Sequence, residues 1–361
     1  MLKGLALTPP VIGRISIGRV VERGGKRLPQ KDDEFTVTSQ VMALGGWVPH
    51  PVDEVLRRGL AVTGTGTDTV SATDSADGSA ESAAPEDEGR GVSAKLRVIP
   101  VRLLFDDPDL NLRVSYSRFD RQTGRPICVG DGQSCRRATP QGIQGLPCLG
   151  PMGCEYADGQ CKPYARLHVR IDLAGLRSTA DAAIEGDELG CFVFRSTSFN
   201  SIRTLATRLR YFHATANGLL STFPLALRLR GKSTQQSHRT PIYYVDLVTR
   251  DNQTLAEAVA QAQATWTHRA ECGFNQNALD LAAKAGLARG QFEELAEEAL
   301  EVGNAVVEEF YPETTETSAD ASTDAPAADI GARGQARSLA RRLDNKLQAG
   351  AAMQLNREDV S

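Results

Sequence analysis

Five of the seven cysteines, Cys128, Cys135, Cys148, Cys154 and Cys161, fall within 34 residues, separated by 6, 12, 5 and 6 positions. Thiolates ligate borderline-soft cations, and four of them complete a closed tetrahedral Zn²⁺ site. The residues between them are mostly Pro, Gly and polar types, as in Gly130-Asp131-Gly132 and Gly150-Pro151-Met152-Gly153. A loop this long with so little apolar content needs a staple, and a bound Zn²⁺ supplies folding energy directly. The spacing favours Cys135, Cys148, Cys154 and Cys161, because the last three bracket short turns able to converge; Cys128 is the alternative first ligand. Free thiols on a loop, or another cluster such as Fe–S, are the rival readings. A four-ligand site leaves no open position for water, so the expected zinc is structural. His168, seven residues past Cys161, falls in a strand and reads as a surface residue rather than a ligand. Cys191 and Cys272 stand apart, in a strand and between helices.

A second constellation is electrostatic. Between Cys191 and Arg250 nine basic residues face a single acid, Asp246, whereas 253–330 holds fifteen acids and three bases. Such asymmetry points to a basic region that meets a polyanion. Arg203, Arg208 and Arg210 lie off the apolar stripe of a helix, and Arg228 and Arg230 share one face of a strand. With Arg195 and Lys232 they form a candidate DNA- or partner-binding surface, able to contact phosphates without reading bases. Tyr211, Phe212, Tyr243 and Tyr244 lie close by in sequence. Base stacking on them would make the chain a plain nucleic-acid-binding protein of phage recombination or replication.

No catalytic pattern competes with these. The sequence contains no G-x-S-x-G, H-E-x-x-H or G-x-x-x-x-G-K-[ST]. Gly231-Lys232-Ser233 imitates the end of the last motif, but Ala226 stands where its first Gly belongs. Asp106, Asp107 and Asp109 read as a solvated turn rather than a divalent-ion site. The chain is therefore expected not to be an enzyme, with a metal-dependent hydrolase as the third reading.

The elements that must position these residues are those of an α+β protein. A length of 361 residues allows two or so domains. No run approaches the roughly 18 apolar residues that span a bilayer. The opening apolar stretch is too short for a signal peptide, so a cytoplasmic setting is expected, where clustered thiols bind metal. Residues 1–62 read as a β-rich segment ending in a short helix from Pro51. Residues 63–94 form an acidic, apolar-poor insertion expected to be disordered. Residues 95–250 form the zinc-stapled core. Its strands are marked by alternation at Leu112-Val114-Tyr116, Leu167-Val169-Ile171, Phe223-Leu225-Leu227 and Ile242 to Val248. One helix is embedded among them, with Ile202, Leu205, Leu209 and Phe212 along one stripe and Ser198 or Asn200 as N-cap. An acidic helical region follows over 251–311, with helices at 254–270, 276–287 and 290–310. A disordered linker (312–335) and a short basic helix with its tail (336–361) complete the chain.

The stretch from Cys148 to Leu247 resembles the recombination directionality factors that partner large serine integrases of phages and integrative elements. The resemblance rests on Pro147-Cys148, Cys154-Glu155-Tyr156 and Cys161-Lys162, then on Phe194-Arg195-Ser196-Thr197-Ser198-Phe199-Asn200-Ser201-Ile202. Phe223-Pro224-Leu225 and Ile242-Tyr243-Tyr244-Val245 complete it. It spans roughly 95–250, and the opening from Gly4 to Ile15 also looks like the start of such mobile-element proteins. Relatives of this look are often labelled hydrolase or metal-binding protein. The resemblance implies a mobile-element accessory protein that binds a serine integrase–DNA complex, or DNA, and controls site-specific recombination.

Overall fold

The computed structural model describes residues 10–23, 26–43, 46–63, 95–174, 190–233, 241–250 and 253–286. The insertion expected beyond position 63, the helix expected at 290–310, the linker after it and the short basic helix with its tail at 336–361 lie outside the described residues. All described residues fall in the unit Met1–Glu313.

The strands β1 (Val11–Arg23), β2 (Lys26–Ala43) and β3 (Gly46–Pro49) precede helix α1 (Pro51–Thr63). Strand β4 (Val98–Leu103), the single turn α2 (Pro108–Asn111) and β5 (Leu112–Phe119) come next. The cysteine-rich stretch is not a plain loop. It builds β6 (Pro126–Gly130), β7 (Ser134–Thr139), β8 (Gly142–Pro147) and the short α3 (Gly150–Gly153). Strands β9 (Lys162–Ile171) and β10 (Cys191–Ser196) lead to helix α4 (Phe199–Thr215). The pair β11 (Leu225–Lys232) and β12 (Ile242–Thr249) precedes helices α5 (Leu255–Glu271) and α6 (276–286).

The twelve described strands form one mixed sheet with the order β3-β2-β1-β10-β9-β5-β6-β7-β8. Strand β9 is its hub. It takes β10 on one edge, and β5 and then β4 along the other, and β4 continues to β11 and β12. The pairing of β1 with β10 is parallel, so the N-terminal strands share the sheet of the central ones. Alternation decides which side chains meet. Leu167, Val169 and Phe194 project from the sheet into one core with Ile15, Phe35 and Val37. Helix α1 adds Val52, Val55 and Leu56, and α5 adds Ala258 and Ala262. Each fully buried aliphatic side chain there contributes about 1.5–3 kcal/mol of transfer free energy.

Helix α4 follows its sequence signature. Ile202, Leu205, Leu209 and Phe212 are all buried in the core. Ser198 occupies the N-cap, without a side-chain cap bond. The helix ends where Asn217 and Gly218 take left-handed φ values of 51° and 87°. Its N-terminal turn also satisfies a strand: the amide of Val245 in β12 donates to Ser201 Oγ over 3.1 Å. Helix α5 opens on a full capping box between Thr254 and Glu257.

Candidate partner-binding face and thiol chamber

The cysteine-rich stretch folds back on itself by strand pairing. Cys128 of β6 stands opposite Arg137 of β7, and Gly130 stands opposite Cys135. Cys148 leaves β8 and donates its amide to the carbonyl of Gln133. Cys154 follows α3, and Cys161 immediately precedes β9. The result is that all five thiols line one chamber of about 20 Å³, together with Tyr116, Arg118, Arg137 and Tyr156. A space of that size holds a single ion or water.

Electrostatics tie the thiols to one another. Burial, then the hydrogen bond to Cys128, pushes the Cys135 thiol up to about 11. Burial, then the neighbouring Cys128, Cys148 and Cys154, raises Cys161 to about 11 as well. Two arginines line the same chamber. Arg137 Nη2 lies 3.6 Å from Cys154 Sγ and sits over the Tyr156 ring at 4.0 Å. Arg118 packs over that ring at 4.7 Å and donates to the Tyr156 carbonyl. The donor chemistry and the size of the space suit one thiophilic cation. However, among the described residues no group of three or more His, Cys, Asp or Glu side chains is placed to hold a metal. A cation would therefore have to draw the thiols together.

His168 is not the surface residue that alternation suggested, since it is only 3% exposed. Leu167 and Val169 mark one buried face, but the other face of β9 is covered as well. Cys191 is buried in β10, and Cys272 is exposed at the end of α5. The Asp106–Asp109 turn is structural: Asp107 Oδ1 caps α2, and Asp106 Oδ1 accepts from the amide of Ser221.

The basic residues separate into groups. Arg195 is buried and stands opposite Arg166 of β9, which itself stands opposite Arg113 of β5. Arg208 and Arg230 converge on one buried carboxylate, with Nε atoms 3.1 and 2.6 Å from the two oxygens of Asp246. Arg228 is in direct register with that aspartate. Lys232 donates to Asn200 Oδ1 over 2.7 Å and approaches the Tyr244 ring at 5.8 Å. Arg203 and Arg210 remain exposed on α4.

These last two flank a groove that sequence reasoning did not single out. It is about 720 Å³, runs between α4 and β5, and is lined by Val114, Phe199, Ile202, Ala206 and the two arginines, among others. Phe199 is 65% exposed. An exposed aromatic beside exposed cations is the composition of a binding hot spot. The signal available in the sequence was Phe199 itself, at the first position of α4 and therefore ahead of its buried stripe.

A family model described as Gp3-like, recombination directionality factor-like, matches residues 12–250. No curated protein and no solved structure matches the chain.

Proposed function

Because the chain belongs to the Gp3-like, recombination directionality factor-like family, we propose that it is a non-enzymatic accessory protein that binds a serine integrase–DNA complex and sets the direction of site-specific recombination. The observation that carries this reading beyond the family match is the groove between α4 and β5. Phe199 and Val114 offer apolar anchors, while Arg203 and Arg210 offer charge at the rim. Rim charges steer association, whereas a central aromatic supplies most of the binding free energy.

The thiol chamber has a supporting role in this reading. A structural Zn²⁺ held by four of Cys128, Cys135, Cys148, Cys154 and Cys161 would fix β6–β8 against β9. When bound, it supplies folding free energy. The convergence of five thiols on one ion-sized space supports it. The chain's own residues brace the same region, with Arg118 and Arg137 both packed on the Tyr156 ring.

The test is an integration and excision assay with the purified cognate integrase, with and without the full chain. Added protein should suppress integration and permit excision. Phe199→Ala combined with Arg203→Glu should abolish both effects while leaving the melting temperature within about 2 °C, since neither side chain belongs to the core. Unchanged recombination products on adding wild-type protein would defeat the proposal.

A further inference from the structure

Strand β8 ends the sheet, and among the described strands only β7 pairs with it. Each of its residues except Leu146 is exposed. Thr139 and Gly142 close the hairpin of β7 and β8. The pair that flanks a two-residue turn exchanges both backbone bonds, and antiparallel pairing alternates from there. Gly142, Gln144 and Leu146 therefore turn their amides and carbonyls towards β7. Ile143 and Gly145 turn theirs outward, where no described strand meets them.

The edge strand β12 is closed differently. There the amide of Val245 donates to Ser201 Oγ and that of Leu247 to Asp246 Oδ1, so the chain's own side chains take up the edge. Open edges are otherwise kept apart by charge, above all by Lys, and β8 carries none. Residues 138–154 hold no Asp, Glu, Lys or Arg, in a chain of which 24% is charged. Within them Ile143, Leu149 and Met152 are 51%, 69% and 98% exposed.

We propose that the free edge of β8 pairs antiparallel with β8 of a second copy, joining two chains about a two-fold axis through one continuous sheet. The strand is complementary to itself. An axis at Gln144 sets Ile143 opposite the second copy's Gly145, and Gly145 opposite its Ile143. These are the two outward-facing residues, so both pairs exchange amide and carbonyl and form four backbone bonds. Gly142 and Leu146 make the next pairs out. Each large aliphatic side chain thus meets a glycine, and a Cβ on Gly142 or Gly145 would find no atom of its own chain within 4 Å. Charge permits the pairing as well. Like charges set opposite one another destabilise a strand pair, and a neutral strand brings none. The nearest charges, Arg136 and Arg137, lie on β7. Three strand spacings, about 14 Å, separate the two β7 backbones, more than the Debye length of about 8 Å at physiological salt. This dimer goes beyond the accessory role proposed above and does not depend on it.

The experiment is sedimentation equilibrium of the full chain at roughly 1–200 µM, with a phosphine reductant present because Cys272 is exposed. A seam this small should give a reversible monomer–dimer equilibrium with a Kd on the order of 10–100 µM. Gln144→Lys sets like charges opposite one another at the axis and should weaken the dimer about three- to fivefold, as should Gln144→Glu. An equimolar mixture of the two sets opposite charges there and should associate at least as tightly as wild type. Gly145→Pro removes two of the four bonds and should weaken the dimer more than tenfold. Its amide faces away from β7, so the hairpin keeps its own pairing. The position-144 variants should melt within about 2 °C of wild type, since that side chain is exposed. Wild-type chain that stays monomeric at 200 µM overturns the proposal and leaves the edge to an extended segment of another protein. A dimer that none of the substitutions weakens, or a mixture no tighter than the single variants, overturns it too, because association then runs through another surface.

Discussion

Replacing Asp172 by Asn should cost about 2 kcal/mol of stability at neutral pH, and the cost should vanish in acid. Asp172 lies just past β9 and joins three parts of the sheet. Its carboxylate accepts from Arg102 Nε of β4 at 2.6 Å, from the Arg250 guanidinium just past β12, and from the amide of Ala174. Its side chain is 11% exposed, and each arginine side chain is 22% exposed, so solvent screens the group weakly. Burial by itself pushes the carboxyl up. The Arg250 bond, the Ala174 amide and the charges of Arg250 and Arg102 together outweigh it and hold the group at about 2, against an ordinary 3.8. Each pKa unit is worth about 1.4 kcal/mol, so the ionised carboxylate contributes about 2 kcal/mol. Because the folded pKa is depressed, this stability is present above about pH 4 and is lost as pH falls towards 2. Asn imitates the protonated form, so wild type and variant should converge there. Urea unfolding of both chains at pH 7, 5, 4 and 3 measures the difference directly, and at neutral pH it corresponds to a fall of about 4–8 °C in Tm. A difference below about 0.5 kcal/mol at pH 7, or one that is constant down to pH 3, would refute the reasoning.

Asp246→Asn should destabilise the chain by about 2 kcal/mol in urea unfolding. It weakens two charge-assisted bonds, but the side chains of Arg208 and Arg230 are each 42% exposed and rehydrate, which discounts the loss; an unchanged midpoint would show the pairs to be ornamental. Gly130→Ala should cost about 1–3 kcal/mol through overpacking. Its Cβ would lie 2.7 Å from Cys135 Cβ, 2.8 Å from Cys148 Sγ and 2.8 Å from the carbonyl of Ser134. A melting curve identical to wild type would mean that the hairpin gives way freely. Metal analysis of the purified chain should find about one Zn²⁺ per molecule, with Cys154→Ser and Cys161→Ser losing it and melting lower. Correctly folded protein without bound metal would remove zinc from the account.

What could be read in the sequence depended on how each element is buried. Helix α4 was legible because one face alone meets the core, and the spacing of Ile202, Leu205, Leu209 and Phe212 records that face. Strand β8 was not, since Gly142 to Pro147 is almost wholly exposed and leaves no alternation to detect. The gathering of the five cysteines was visible as density along the chain. Their placement round a single space depends on the register of β6 with β7, which spacing does not encode. The charge count located the basic region but not its internal pairing. Arg208 and Arg230 reach Asp246 across 38 and 16 positions, so two of the apparent surface cations are partly spent on one carboxylate. His168 shows the same limit: alternation reveals that a strand has two faces, but not that both are covered.

The parallel seam between β1 and β10 has a consequence for how the chain comes to be folded. Val11 and Cys191 are neighbours in that seam although roughly 180 positions separate them. Closing so long a segment costs entropy before any contact repays it, and topologies dominated by such pairings fold slowly. At synthesis rates of about 5–20 residues per second, the ribosome needs roughly 10–40 s after making β1 before β10 exists to receive it. Throughout that interval the inner edge of β1 is an open template for any other strand, including the same strand of a neighbouring nascent chain. Production of intact protein should therefore depend on how crowded the translating message is and on chaperone supply more than on the stability of the finished fold.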